Sequence, residues 1–164
     1  MTHEPRLRGP WSRDQVREFL QNTVIPVRLA TNTRSGFPTV LSLWFVPGSE
    51  IDETDDLALW CAVHKDSRIA GHLAQGGACA FEVARDAPPY HGVRGQAQAT
   101  LAPELGESIL RRALDRYLGD ATSELAGWLL SRAAEELAIR IAPHALYSWD
   151  YRERMAGLSP PPHS

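Results

Sequence analysis

The stretch LALWCAVHKDSRIAGHLAQGG runs from Leu57 to Gly77. It opens as an apolar run that ends at His64, with the length and composition of a strand. Charge and hydroxyl then gather at Lys65, Asp66, Ser67 and Arg68. Apolar residues resume at Ile69, Leu73 and Ala74, the spacing of a helix with one inward face. Gly76 and Gly77 stop it. The stretch therefore reads strand, turn, helix, and Asp66 or Ser67 can cap the helix. A helix start also carries several N–H groups without intrahelical partners, at the positive end of the helix dipole. With the Ser67 hydroxyl, the Arg68 guanidinium and the Lys65 ammonium beside it, such a start suits a phosphate. The Asp66 carboxylate opposes an anion unless it points away. Taken alone, these residues leave both a plain cap and an anion site open.

Working outward, the stretch sits within a series of strands. Upstream, VIPVRLATNT is rich in β-branched residues and ends in the turn RSGFP, and TVLSLWFVP forms a second strand ended by Pro47 and Gly48. SEIDETDD is expected to be a solvated hairpin tip, since its carboxylates do not follow the D-x-D-x-D-G calcium loop. Downstream, ACAFEVAR is a strand and DAPPY a rigid turn. HGVRGQAQATL is a fifth strand, whose glycines suggest a bulge or the close approach of another backbone. Parallel crossovers need about a dozen residues or more, so turns this short favour antiparallel pairing. So many short strands favour a barrel.

Helices flank the strands. In WSRDQVREFL, Ser12 is an N-cap, Gln15 completes a capping box, and Trp11 can staple onto Val16. Pro26 forbids continuation. After Pro103, Leu105, Ile109, Leu110, Ala113, Leu114 and Tyr117 form one apolar stripe, closed by Gly119. TSELAGWLLSRAAEE predicts another helix with Leu125, Trp128 and Leu129 inward. Trp128 reads as core, with lining of a pocket as the other reading. LAIRIAP then alternates, with Leu137, Ile139 and Ile141 on one face. The expected organisation is a flexible N-terminus over 1–10, one domain over 11–152 with a helical insert at 103–134, and a disordered Pro-rich tail over 153–164.

With 164 residues and a net charge of -3, the chain lacks the basic footprint of a nucleic-acid binder. No apolar run approaches the roughly 18 residues that span a membrane, and the N-terminus has no apolar signal-peptide centre, so a cytoplasmic location is expected. Cys61 and Cys79 have no C-x-x-C spacing and read as buried free thiols. No G-x-G-x-x-G, G-x-x-x-x-G-K-[ST] or G-x-S-x-G motif occurs, which argues against Rossmann, P-loop and hydrolase chemistry. His3, His64, His72, His91, His144 and His163 form no H-E-x-x-H, so no metal site is expected.

The serial order of RLAT, GFP, TVLSLWFVP, a charged hairpin, LALWCAVHKDSRIAGHL, ACAFEV, PPYHGVRGQAQ and the closing IRIAPHALYSWDYR resembles the pyridoxamine 5'-phosphate oxidase-like flavin-binding split-barrel superfamily. The resemblance spans about residues 12–152. It implies a mainly β (α+β) fold, a six-stranded antiparallel split β-barrel with peripheral helices. It implies a homodimer with flavin mononucleotide (FMN) at the subunit interface. By that resemblance Ser67 and Arg68 hold the phosphate, with Lys65 assisting. Val63 and His64 run along the ribityl chain or ring edge. Leu41, Ser42, Leu43 and Trp44 face the isoalloxazine, Arg94 reaches the site, and Trp149 and Arg152 help to close it across the dimer. The chain departs from the pyridoxamine-phosphate-oxidising members at Ile69, where they carry a basic residue after the serine–arginine pair, and at Leu41 and Val46. WDYRER retains only part of their C-terminal motif. The expectation is thus an FMN-dependent oxidoreductase that passes hydride between a reduced donor and a small-molecule acceptor, and not a true pyridoxamine-phosphate oxidase. A flavin site needs no side-chain nucleophile, and no catalytic side chain is assigned. The alternatives are a flavin carrier or sensor, and a split barrel for a deazaflavin coenzyme or haem.

Overall fold

The computed structural model describes residues 4–119 and 122–157. Among these the order is β1 (Arg6–Arg8), α1 (Arg13–Asn22), β2 (Val27–Asn32), β3 (Pro38–Leu43), β4 (Val46–Pro47), β5 (Leu59–His64), α2 (Arg68–Gln75), β6 (Ala78–Ala84), β7 (His91–Ala102), α3 (Gly106–Leu118), α4 (Glu124–Ser131) and β8 (Glu136–Asp150). The residues expected to form a disordered tail from Leu158 onward lie outside the described residues. No helix among the described residues is long and apolar enough to cross a membrane.

The strands pair in the order β3-β2-β6-β7-β8-β5-β4, with every neighbour antiparallel. β3 and β4 stand at opposite ends of that order, yet only Trp44 and Phe45 separate them in the chain. One segment, 38–47, therefore supplies both edges, and the sheet closes on itself. The sheet has eight strands where six were expected, because the segment 38–47 is divided into β3 and β4 and β1 is added outside the ring, while the antiparallel barrel class is as read. Along 38–43 the segment pairs, among the described residues, with β2 alone, so its other edge carries no described strand. That edge is the split.

Alternation fills the barrel. Val27 and Leu29 of β2, Leu59, Cys61 and Val63 of β5, and Leu137, Ile139 and Ile141 of β8 share one buried cluster. Val16 and Leu20 of α1 and Ile69, Ala70 and Leu73 of α2 close the same cluster. A fully buried Leu or Ile contributes about 1.5–3 kcal/mol, so this one interior dominates stability. Opposite-parity residues Trp60 and Ala138 face outward, where Ile109 and Ala113 of α3 cover them. The two glycines of β7 serve close approach. A Cβ on Gly95 would lie 2.5 Å from the Phe81 ring, and one on Gly92 would lie 2.6 Å from the Val83 carbonyl. The bulge in that strand pair falls at Gln96/Ala97, where Ala145 and Pro143 are the partners and His144 is the extra residue.

Local signals formed as read. Ser12 accepts from the Gln15 N–H, and the Gln15 side chain accepts from the Ser12 N–H at 2.8 Å. Gly119 ends α3 in the left-handed region, at φ 66°.

Three expectations are corrected. Arg6–Arg8 are not loose: they pair in parallel with Ala145–Tyr147. β8 is 15 residues long and β5 covers only Glu136–Ile141 of that edge, so β1 covers bonding groups that would otherwise lie open. The hairpin tip is not simply solvated. Asp55 accepts two bonds from Arg140, at 2.6 and 2.7 Å, and buried Asp56 accepts one from Arg13 at 2.6 Å. Finally, α4 departs in part from its expected face. Leu129 packs inward as expected, but Leu125 and Trp128 are exposed, Trp128 by 53%, while Ala126 is buried against Leu110 and Leu114 of α3. A small residue permits the closer helix approach, and Trp128 is left on the surface with the Arg132 guanidinium over its ring.

The insert also braces the barrel's closing bend. Arg116 of α3 donates to the carbonyls of Leu20, Gln21 and Thr23 at 2.9–3.0 Å and lies over the Phe45 ring. The neighbouring Tyr117 hydroxyl donates to the Ile25 carbonyl, accepts from the Phe45 N–H, and its ring stacks on Trp44 at 5.2 Å. Burial of Tyr117 raises the pKa of its phenol.

Candidate functional site

The site forms where the split meets the start of α2. Ser67 is the N-cap, and its Oγ accepts from the Ala70 N–H at 3.3 Å. A hydroxyl that accepts in this way still has its own proton to donate. Arg68 follows as the first helical residue. It is exposed, and it makes no hydrogen bond or ion pair among the described residues. Its side chain lines a cavity of about 470 Å³ together with Thr33, Thr39, Leu41, Ile69 and His72. Thr39 and Leu41 come from β3, so the unpaired edge of that strand borders the cavity.

The acid that could have quenched this site turns elsewhere. Asp66 is exposed and leans toward His64, with Oδ2 4.0 Å from Nδ1. The Asp66 N–H donates to His64 Nδ1 at 3.2 Å, which leaves the ring proton on Nε2, 3.3 Å from Glu135. That hydrogen bond holds the Glu135 carboxyl below its usual range. Arg132 also reaches Glu135, at 3.5 Å, and the Lys65 N–H donates to its carbonyl at 2.8 Å. The HKDS turn is thus fixed from behind, and Glu135 is engaged away from Arg68.

A second cavity, of about 640 Å³, lies on the outer face of the sheet. Arg28, Ala30, Val40, Ala80, Arg94 and Tyr147 are among its walls. Val40 stands between Thr39 and Leu41 in β3, so alternate residues of one strand serve the two neighbouring cavities. Arg94 lies over the Trp149 ring at 5.1 Å.

The expected ligands therefore separate into groups. Arg68 and Leu41 share the α2 cavity, and His64, Lys65 and Ser67 form the turn that leads into it. Arg94 and Trp149 meet at the outer groove, and Ser42 is exposed. Val63 is buried in the barrel, and Leu43 packs against that same cluster. Trp44 packs beneath α3 against Tyr117. Val63 could offer a ligand only its backbone, whereas Leu43 and Trp44 are half-buried. Arg152 is held by Asp150, beside Trp11. Thr33, Thr39 and His72 were not anticipated. His72 was findable, because it lies four residues after Arg68 and so shares its helix face.

The cysteines are free thiols, with Cys61 buried and Cys79 partly so. Burial raises both pKa values, that of Cys79 to about 11, so neither is a ready thiolate. No group of three metal-ligating side chains occurs among the described residues.

Solved structures resemble the chain over most of its length. A conserved hypothetical protein of Mycobacterium tuberculosis, Rv2991, matches with a TM-score of 0.72 at 21% identity, covering 98% of this chain and 95% of that one. An F420 reductase matches at 0.63 and 21% identity, covering 79% and 94%. A Listeria innocua protein, provisionally named a pyridoxamine 5'-phosphate oxidase, matches at 0.60 and 17% identity, covering 82% and 95%. At these identities the likeness is one of fold. No protein-family model and no curated protein matches the chain.

Proposed function

We propose that this chain, whose fold is the split barrel of pyridoxamine 5'-phosphate oxidase-like proteins, binds FMN and acts as an oxidoreductase on a small molecule. One observation carries the reading: Arg68 stands unpaired at the start of a helix and lines a cavity beside an open strand edge. A guanidinium fork, a capping hydroxyl and helix-start N–H groups together suit a phosphate monoester. The free edge of β3 offers backbone donors and acceptors to a flat heterocycle. The chemistry supplied by the bound flavin would be hydride transfer between a reduced donor and an acceptor. The chain's own part is to grip the phosphate through Ser67 and Arg68, with Lys65 adding positive charge. The buried wall of Ile69 and the half-buried Leu41 limit water on the apolar side.

Ile69 also bears on the choice of substrate. It is 6% exposed and packs in the barrel cluster, so this position offers no cation to a second phosphate. That supports a substrate other than a pyridoxamine phosphate.

The proposal includes a homodimer. Phe37 and Val40 of the β2–β3 hairpin are 75% and 65% exposed, beside the outer groove, an apolar surface suited to a second copy. Val40→Glu should shift gel-filtration elution toward the monomer. A wild-type monomer would remove the dimer from the account. The cofactor is tested by the absorption spectrum of protein as purified and after adding FMN. A bound-flavin band supports the reading, a single deazaflavin band would move it to that coenzyme, and a haem band would overturn it.

A further inference from the structure

We infer that His72 is a second phosphate-binding residue of this site, donating to the cofactor's phosphate from Nε2. The inference rests on the FMN reading and adds to it a residue. His72 follows Arg68 by one helical turn, and both side chains line the same cavity. Thr33 and Thr39 face it from the β2–β3 side. The buried Nδ1 of His72 has no hydrogen-bond partner among the described residues. A proton on that nitrogen would be a buried donor with nothing to accept it, which is costly. An unprotonated Nδ1 is the lesser cost, because a lone pair left without a donor loses less. The enclosure of Nδ1 therefore disfavours the Nδ1–H tautomer. The ring proton goes to Nε2, which is not among the enclosed atoms and is the nitrogen a ligand can reach. Arg68 then supplies charge, and His72 supplies a directed donor one turn further along the helix.

The contrast with His64 sharpens the point. Both of that ring's nitrogens are already engaged, by the Asp66 N–H and by Glu135, so it has no donor to spare. Of the two histidines that bracket Arg68, the structure leaves His72 available.

The test uses the full chain, with FMN and riboflavin as probes and flavin fluorescence as the readout. His72→Leu is expected to raise the Kd for FMN about tenfold and leave riboflavin within about twofold, the size of one lost bond to a charged group. His72→Gln keeps a neutral donor at similar reach and is expected to stay within about threefold of wild type for FMN. Thermal melts of both variants identify any loss of fold. Unchanged FMN affinity in His72→Leu would overturn the inference. Equal losses for FMN and riboflavin in both variants would assign His72 to packing and overturn it too. If Arg68→Ala separates FMN from riboflavin and His72→Leu does not, this inference alone fails. A wild type that binds neither probe overturns it together with the FMN reading.

Discussion

The α2 junction and the Asp150–Arg152 corner each place an arginine at the rim of the barrel, and they use it in opposite ways. At the corner, Arg152 is ion-paired to Asp150, which also accepts from the Trp11 indole at 3.0 Å. The guanidinium lies over the Trp11 ring, so the group fastens the end of β8 to the start of α1. At the junction, Arg68 pairs with neither nearby acid among the described residues. Asp66 leans on His64, and Glu135 serves His64 and Arg132. Arg68 is left with a cavity in front of it. Whether an arginine is anchored or left free is set here by whether a carboxylate pairs with it.

Substitutions can break this comparison, and the largest effect belongs to the strongest anchor. Arg116→Met should destabilise the fold by about 1–3 kcal/mol in urea unfolding, because three backbone carbonyls, two of them partly buried, lose their donor. A loss below about 0.5 kcal/mol would mean the clamp is incidental. Next comes the proposed phosphate ligand. Arg68→Ala should leave stability within about 0.5 kcal/mol, as for an ordinary surface change. It should cost about 2 kcal/mol, some 30-fold, in FMN affinity but not in riboflavin affinity. Equal loss for both flavins would place Arg68 away from the phosphate.

The corner should show a smaller effect with a definite pH sign. The bond from Arg152, first, holds the Asp150 carboxyl well below the usual carboxylate range. A carboxyl depressed in the folded state adds stability above its unfolded value, about pH 4, and loses it as pH falls further. Asp150→Asn should therefore cost under about 1 kcal/mol at neutral pH and flatten the acid limb of the stability curve. An unchanged acid limb would contradict the pairing. Smallest of all, Trp128→Ala should shift stability by less than about 0.5 kcal/mol, since the ring is mostly exposed.

The strands and caps were legible because their signals are local: alternation in Leu137–Ile141, Ser12 with Gln15, Gly119 after the α3 stripe. What escaped depended on partners far along the chain. Arg6–Arg8 look like a polar leader until β8 proves too long for β5 to cover. Asp55 looks solvated until Arg140, 85 residues on, arrives beside it. α4 was misread for a different reason: Trp128 and Leu125 outweigh Ala126 in any hydrophobic reading, although the smaller side chain makes the closer contact. At the site, Arg68 and its cap were legible as a helix start. That Asp66 would turn away, and that Trp44 would be claimed by Tyr117, follow from β8 and α3 and could not be read from the junction itself.

The central claim is that the α2 junction grips a phosphate. Its most direct measurement is a fluorescence titration of wild-type protein with FMN and with riboflavin under the same conditions. The account predicts quenching by both, with FMN bound at least about tenfold more tightly, the contribution of one charge-assisted contact or more. Equal affinities for the two flavins, or no quenching by either, would contradict it.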